Sequence, residues 1–227
     1  RMPADVSHER AKDAMTTTVS AARAAERAVG WDADSSIAWQ RFPRLDGPAV
    51  ADACVVGLGG SGLAAIGELL GRGLSVIGID AGRIASGAAG RNGGFLLAGP
   101  AQAVHVAAEQ YGADAAVDFY RQTLAEIDHL ETLLGGDVIR RVGSLRVAGL
   151  PGAGPADGRT DRAAERADCE AQYEFMCDHR LPVQRYRGPL GVGLYFPRDA
   201  AMNPVRRAMG LAALYGGRAR LFERSPA

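Results

Sequence analysis

Short apolar runs and segments of helical periodicity alternate along the chain, and the first of them follow a familiar order. The stretches "AVADACVVG", which ends at Gly57, and "LSVIGID", residues 74–80, are rich in β-branched residues and predict buried strands. Between them, residues 61–72 ("SGLAAIGELLGR") predict a helix. Strand, glycine turn, helix and strand within about thirty residues predict a βαβ unit.

Helical periodicity dominates the middle of the chain. Apolar positions from 102 to 134 predict two helices, because "YGAD" interrupts them and Asp114 is a suitable N-cap for the second. Residues 137–149 predict two short strands, and residues 161–180 predict a charged amphipathic helix. The Pro/Gly-rich segment 150–160 between them predicts a loop.

The last part of the chain predicts one more alternation of strand and helix. Residues 190–204 ("LGVGLYFPRDAAMNP") predict a strand followed by a turn. Asn203 and Pro204 have the form of an N-cap and a first-turn proline, which open a helix to about Tyr215. The terminal "GGRARLFERSPA" predicts a final short strand. Together the elements indicate an α/β fold.

The turn inside the βαβ unit carries a nucleotide-binding motif. The segment "GLGGSG", residues 57–62, matches G-x-G-x-x-G between a strand and a helix. Gly57 permits the tight turn, Gly59 lets a pyrophosphate approach the backbone, and Gly62 lets the helix pack close to the strand. Asp80 follows at 80 − 62 = 18 residues, near the ~20 expected for the acid that binds the ribose hydroxyls. The alternative is a βαβ unit whose glycines are incidental.

A second glycine-rich stretch, "SGAAGRNGGF" at 86–95, follows soon after the ribose acid. A loop in this position lies near the carboxyl ends of the strands, where cofactors bind in open sheets. Ser86 and the loop N–H groups are suited to phosphate oxygens, Arg91 to a fixed positive charge, and Asn92 to a donor–acceptor pair. A flavin needs such charge and donors beside its pyrimidine ring, and a nicotinamide needs them less. The alternative is a surface loop with an incidental Arg-Asn pair.

Composition narrows the function classes. The chain has 227 residues, of which 47% are hydrophobic, and its basic and acidic residues balance at 26 each. This indicates a globular protein without the charge expected of a nucleic-acid partner, and no apolar run is long enough to span a membrane. Cys54 is expected to be a small buried hydrophobe, while Cys169 and Cys177 lack a zinc spacing. We expect no metal and a reducing, cytoplasmic location.

The segment "ADACVVGLGGSGLAAIGELLGRGLSVIGIDAGRIASGAAGRNGGF" resembles the FAD-dependent amine and amino-acid oxidases of the D-amino-acid oxidase family, with its nearest likeness in the γ-glutamylputrescine oxidoreductase group. The later stretches "VGSLRVAG", "LYFPRDAAMNPVRRAMGLAALYGGRA" and "LFERSPA" resemble that family in the same order, so the likeness runs from about Trp31 to the end. The resemblance implies a flavoprotein that oxidises the C–N bond of a small amine or amino acid by hydride transfer to FAD.

The resemblance also implies a domain plan and a set of cofactor-binding residues. The plan is a Rossmann-like FAD-binding βαβ domain with part of an inserted α+β substrate domain. We expect an N-terminal extension at 1–30, the FAD-binding domain at 31–135, the start of the inserted domain at 136–190, and a return segment to the FAD domain at 191–227. The residues implied to contact FAD are Gly57, Gly59, Gly60, Ser61, Gly62, Asp80, Ala81, Arg83, Ser86, Gly87, Ala88, Arg91, Asn92, Gly93 and Gly94. No catalytic base is assigned.

The sequence departs from the family in two ways. The ribose acid of the family is usually Glu, and Asp80 is one methylene shorter. The chain also ends where the family continues, so we expect the N-terminal half of such an enzyme, with a complementing C-terminal half or a homo-oligomer. Two alternatives stay open from the sequence, a truncated non-catalytic dinucleotide-binding remnant and an NAD-dependent dehydrogenase.

Overall fold

The computed structural model describes residues 30–33, 37, 40–149 and 162–227. The chain divides into two compact units. Among the described residues, the first unit runs up to Asn92 and resumes at Pro204–Ala227, and the second lies between Gly93 and Asn203. The extension predicted at 1–30, apart from Gly30, and the loop predicted at 150–160 lie outside the described residues.

The described elements follow the predicted alternation closely. The strands are β1 (Ala53–Val56), β2 (Val76–Ile79), β3 (Phe95–Leu96), β4 (Ile139–Arg140), β5 (Ser144–Val147), β6 (Gln184–Gly188), β7 (Gly191–Phe196), β8 (Ala200–Met202) and β9 (Arg220–Phe222). The helices are α1 (Gly60–Gly71), α2 (Ala88–Arg91), α3 (Val104–Tyr111), α4 (Ala113–Leu134), α5 (Arg162–Asp178) and α6 (Pro204–Tyr215), preceded by a 3₁₀ turn at Gly30–Ala33. None of the described helices has both the length and the hydropathy of a membrane span.

A parallel three-stranded sheet forms the centre of the first unit, in the order β1-β2-β9. The central strand β2 is buried at every position and pairs with a strand on each side. Helix α1 packs onto the sheet through Leu63, Ile66 and Leu70. At Gly78 in β2, an added Cβ would lie only 2.6 Å from Leu58 Cδ2 and 2.8 Å from Ile66 Cδ1. Glycine at this position therefore lets the helix lie close to the sheet.

The prediction that β1 is buried is wrong for one of its faces. Residues along β1 alternate between half-buried and exposed, and Val56 is 67% exposed. Cys54 shares the exposed face and is not the buried hydrophobe expected from the sequence. Val55 points to the opposite face, toward Gly62 of α1. The apolar run specified a strand, but no described layer covers the face of β1 that is turned away from α1.

Antiparallel sheets and three helices build the second unit. Its sheets have the orders β3-β8-β4 and β5-β7-β6. Helices α3, α4 and α5 share an apolar core that includes Val104, Tyr120, Leu124 and Met176. Strands β3, β6 and β8 were not predicted, because β6 ("QRYRG") is polar and β3 and β8 have only two and three residues.

The division between α3 and α4 is confirmed, but the predicted cap is wrong. Gly112, at φ +90°, is both the C-cap of α3 and the N-cap of α4. No side chain caps the N-terminus of α4. Asp114 lies inside the first turn of α4. A glycine adopts this left-handed backbone without a steric penalty, so the tight corner required Gly112 at the cap. In its actual place, Asp114 still complements the positive end of the helix dipole.

The boundaries of the two compact units differ from the expected domain boundaries, the first lying earlier in the chain and the second later. Helices α3 and α4 belong to the second unit, although the domain plan placed residues 31–135 together. The return to the first unit comes at Pro204, where α6 begins, whereas the domain plan expects a return segment from 191, and that plan stays a prediction. The reason is packing, since the apolar faces of α3 and α4 are covered by α5 in the shared core.

Candidate nucleotide-binding site

A tight glycine turn joins β1 to α1. Gly57 has φ +95°, and its N–H donates to the carbonyl of Ile79 at 2.7 Å. Gly59 is the N-cap of α1 and has no side chain to bond to the first turn. The N–H groups at the start of α1 therefore lack a side-chain cap, and the positive end of the helix dipole is available to an anion.

Two glycines of the motif differ in what surrounds them. A Cβ added at Gly62 would lie 1.8 Å from the carbonyl oxygen of Gly57, so the protein itself requires glycine there. A Cβ added at Gly59 would meet only Ala89 Cβ, at an ordinary 3.6 Å. The backbone of Gly59 (φ −86°, ψ −163°) is also open to any residue. Glycine at 59 therefore has no packing reason within its described surroundings, which is what close approach of a ligand to the backbone would require.

Asp80, at the end of β2, connects the sheet to the glycine turn. Its Oδ2 accepts a hydrogen bond from Leu58 N–H, and its Oδ1 accepts one from Gly82 N–H, both at 2.8 Å. The Ser225 N–H donates to the main-chain carbonyl of Asp80 at 2.8 Å. Each carboxylate oxygen retains a lone pair for a further donor such as a ribose hydroxyl. The shorter acid thus holds the turn in place while remaining half-buried.

Ala81 and Arg83 follow Asp80 on the surface. Both residues are exposed. Arg83 lines a cavity of about 530 Å³ together with Arg41, Phe42 and Arg224. This wall is tied to the Asp80 turn, because Arg224 N–H donates to the carbonyl of Gly82 at 2.9 Å.

The glycine-rich stretch after Asp80 is an ordered turn around the short helix α2. Ser86 Oγ–H donates to the carbonyl of Arg83 at 2.7 Å, and Arg91 Nε–H donates to the carbonyl of Ser86 at 3.0 Å. Asn92 Nδ2–H donates to the carbonyl of Ala89 at 2.9 Å and so caps the end of α2. In this arrangement the Ser86 proton and the Asn92 amide stabilise the loop itself. The contact of Ser86 with FAD therefore stays a prediction, since its hydroxyl proton is used within the loop in this structure.

The structure brings most of the predicted residues together within the first unit. The Gly59–Ala89 approach places α2 beside the glycine turn, and Trp31 Nε1–H donates to the carbonyl of Asn92 at 3.0 Å. Gly87 and Ala88, at the start of α2, are exposed. Gly93 and Gly94 belong to the second unit, so their predicted contact with FAD stays a prediction.

One residue near the motif was missed by sequence reasoning. Arg207 of α6 has its Nη1 only 3.2 Å from the position of a Cβ at Gly60. It therefore places a guanidinium beside the first turn of α1, where a pyrophosphate would gain from positive charge. Arg207 is 207 − 60 = 147 residues from Gly60, so only the fold reveals it. No metal-binding group of His, Cys, Asp or Glu is present in the described ranges.

A parallel sheet, a glycine turn that opens a helix, and an acid at the end of the second strand define the dinucleotide-binding class of α/β proteins. The family described as "DAO: FAD dependent oxidoreductase" matches residues 52–227. The chain therefore belongs to this family of FAD-dependent oxidoreductases.

Two curated relatives match the same share of the chain. They are the probable oxidoreductase OrdL of Haemophilus influenzae and the gamma-glutamylputrescine oxidoreductase of Escherichia coli, each 35% identical over 91 residues. The matched segment is 40% of this chain and spans only 21% of either relative.

Solved structures show the same fold. The L-amino acid deaminase of Proteus myxofaciens superposes with a TM-score of 0.55 at 15% identity, over 84% of this chain and 42% of that one. Glycine oxidase of Geobacillus kaustophilus gives 0.52 at 23% identity, over 77% and 46%. The chain thus spans less than half of these enzymes.

Proposed function

We propose that the first unit binds FAD, and that the protein to which this chain belongs oxidises the C–N bond of an amine or amino acid. The observation that carries the proposal is the glycine turn. Gly62 is required by packing, Gly59 is not, and the helix that follows has no side-chain cap. An elongated diphosphate is the ligand that fits a bare backbone at a helix N-terminus.

The residues present fit FAD along its length. The turn from Gly57 to Gly62 would hold the pyrophosphate, with Arg207 adding positive charge beside Gly60. Asp80 would accept hydrogen bonds from the ribose hydroxyls. The loop from Ser86 to Asn92 would lie along the remainder of the cofactor, where the guanidinium of Arg91 supplies a positive charge.

The flavin, when bound, would accept a hydride from the carbon next to the substrate nitrogen. The name of the Escherichia coli relative specifies an amine substrate, which favours C–N oxidation over other flavin chemistry. Because this chain matches only a part of that relative, catalysis is a proposal for the whole protein, whereas FAD binding is a proposal for the chain itself.

The visible absorption spectrum of the purified chain, before and after denaturation, tests FAD binding. We expect a flavin spectrum with one equivalent of FAD released on denaturation, or uptake of one equivalent of added FAD. A colourless chain that takes up neither FAD nor NAD would contradict the proposal. Uptake of NAD without FAD would instead favour a nicotinamide enzyme.

Arg91→Ala is expected to weaken FAD binding or to lower the reduction potential of the flavin. The guanidinium would stabilise the negative charge that develops on the reduced ring, so its loss should lower the potential by about 30 mV, a tenfold change in a two-electron equilibrium. Spectroelectrochemistry of the FAD-loaded chain measures this change. Arg72→Ala, an exposed arginine at the far end of α1, is the control. Unchanged FAD affinity and reduction potential in Arg91→Ala would show that Arg91 does not act on the flavin.

Asp80→Ala is expected to lower both stability and FAD affinity. It leaves the N–H groups of Leu58 and Gly82 without their carboxylate acceptor, which should reduce the free energy of unfolding by about 1–3 kcal/mol. Loss of the ribose acceptor should weaken FAD binding by about tenfold or more. Urea unfolding and FAD titration measure the two effects.

Asp52→Ala is the matched control for Asp80→Ala. Asp52 also accepts a backbone hydrogen bond, from Ser75 N–H at 2.9 Å, but it lies at the opposite end of the sheet. The Asp52→Ala variant should have a lower free energy of unfolding and an unchanged FAD affinity. Equal FAD affinity in Asp80→Ala and Asp52→Ala would remove Asp80 from the site.

A further inference from the structure

A cavity of about 720 Å³ lies within the second unit. Phe95, Leu97, Tyr120 and Phe196 form much of its wall. Asp199, in the turn between β7 and β8, also lines the cavity and is only 4% exposed. Small-molecule sites commonly have this size and a few polar groups among apolar walls. The cavity therefore has the form of a small-molecule site that contains one buried carboxylate.

Two neutral donors orient the Asp199 carboxylate. Its Oδ1 accepts a hydrogen bond from Ala98 N–H at 3.0 Å, and its Oδ2 accepts one from Ser144 Oγ–H at 2.6 Å. Burial raises the pKa of Asp199, and these two bonds and the charge of Arg141 oppose that rise only in part. Each oxygen keeps a second lone pair for another donor. The two donors thus orient the carboxylate, and neither of them carries a charge that would offset its own.

Other acids already balance the cations near Asp199. Arg141 pairs with Asp128 at 2.5 Å and with Glu131 at 2.7 Å, and Arg198 pairs with Asp128 at 2.5 Å. In the described part of the second unit, no ion pair includes Asp199. A buried charge without a partner is destabilising. A cation entering the cavity would therefore compensate the Asp199 carboxylate.

The arginine that lines the cavity favours an amine over an amino acid. Ser144 and Arg146 are two residues apart in β5, so their side chains share a face about 7 Å apart. The Arg146 guanidinium donates to Asp168 and to Gln172. A ligand carboxylate would have to compete with Asp168 for Arg146. At Asp199, a ligand ammonium would meet the charge of Arg141, which Asp128 and Glu131 already balance.

We propose that this cavity binds a primary aliphatic amine, with Asp199 as the acceptor of its ammonium group. An ammonium carries three N–H donors, and its hydrogen bonds to a carboxylate are charge-assisted. The rings of Tyr120 and Phe196 add favourable surface for the cation and for the alkyl chain. This inference rests on the proposed function for the fate of the amine, and it narrows the substrate class to amines without a neighbouring carboxylate.

Calorimetric titration of the purified chain at pH 8 tests the proposal with three ligands of one size, n-butylammonium, 1-butanol and butanoate. The amine is protonated at this pH, because alkylammonium groups titrate near 10.4. We expect n-butylammonium to bind about tenfold or more tightly than 1-butanol, since it adds hydrogen bonds to a charged group, and butanoate not to bind. Equal binding of amine and alcohol, or no binding of the amine, overturns the proposal.

Asp199→Asn tests the residue itself. The amide has the same shape and can accept from Ala98 N–H and donate to Ser144 Oγ, and it removes a buried charge, so we expect it to fold. It should bind n-butylammonium about tenfold more weakly. Asp118→Asn, an exposed site on α4 with the same change in net charge, should bind as the unaltered chain does. Unaltered affinity in Asp199→Asn overturns the assignment.

The outcomes of the two tests are separable. Circular dichroism shows whether Asp199→Asn is folded. If the variant does not fold, the ligand series on the unaltered chain still tests amine binding. The calorimetric signal needs no flavin and no turnover. Amine binding without FAD uptake would therefore contradict the proposed function alone, and FAD uptake without amine binding would contradict this inference alone.

Discussion

Gly59→Val is expected to abolish FAD binding while leaving the fold intact. The backbone at Gly59 is extended, and an added Cβ would make only one contact, at 3.6 Å with Ala89. A valine side chain should therefore fit the protein but occupy the space in which the pyrophosphate touches the backbone. We expect FAD affinity to fall by about a hundredfold or more, equivalent to about 2.7 kcal/mol. Visible spectroscopy and FAD titration measure this loss.

Gly71→Val is the matched control for Gly59→Val. Gly71 ends the same helix, and an added Cβ there would meet nothing within 4 Å. This variant should bind FAD as the unaltered chain does. Thermal unfolding of both variants should stay close to that of the unaltered chain. If Gly59→Val retained FAD, the pyrophosphate would have to lie elsewhere, and the glycine turn would be structural.

Gly62→Ala is expected to destabilise the first unit severely, although helix propensity predicts the opposite. Replacing glycine with alanine inside a helix usually stabilises by about 1 kcal/mol. At Gly62, however, the added Cβ would lie 1.8 Å from the Gly57 carbonyl oxygen and 3.3 Å from Val55 Cγ1. Helix α1 would have to move away from β1, at a cost of about 3 kcal/mol or more. Urea unfolding followed by circular dichroism measures this loss.

Gly60→Ala separates the steric effect from propensity. At Gly60, in the same turn of the helix, an added Cβ would meet only the flexible end of Arg207, at 3.2 Å. Its stability should remain within about 1 kcal/mol of the unaltered chain, because a long side chain can shift. If Gly62→Ala were as stable as Gly60→Ala, the close packing of helix and strand at the motif would not exist in solution.

The predictable part of the fold is the part built from local signals. The βαβ unit, the break between α3 and α4, and the helix that begins at Pro204 each follow from periodicity and from glycine or proline at an end. The N-cap at Gly112 was missed because the sequence offers two suitable residues, Asp114 as a side-chain cap and a glycine that can adopt positive φ. Strand β6 was missed because a polar strand carries no hydrophobic pattern and exists through its pairing with β7.

The candidate site also combines features that the sequence predicts with features that only the fold reveals. The glycine spacing and Asp80 were available from the sequence, since a pyrophosphate and a ribose impose their positions on one continuous segment. The bonds of Ser86 and Asn92 within their own loop were not available, because they depend on how α2 folds back. Arg207 was not available either, since it approaches Gly60 from a distant helix.

By itself, the sequence determined the nucleotide-binding unit, the order of most of its elements, and the family to which the chain belongs, because these rest on residues that act on their immediate neighbours. Only the tertiary structure decided which face of β1 is exposed and which glycine of the motif is required by packing. It also decided that Asp199 is buried and takes part in none of the ion pairs of the described residues. Burial and charge balance depend on every chain segment that packs around a residue, and the spacing along one segment does not contain that information.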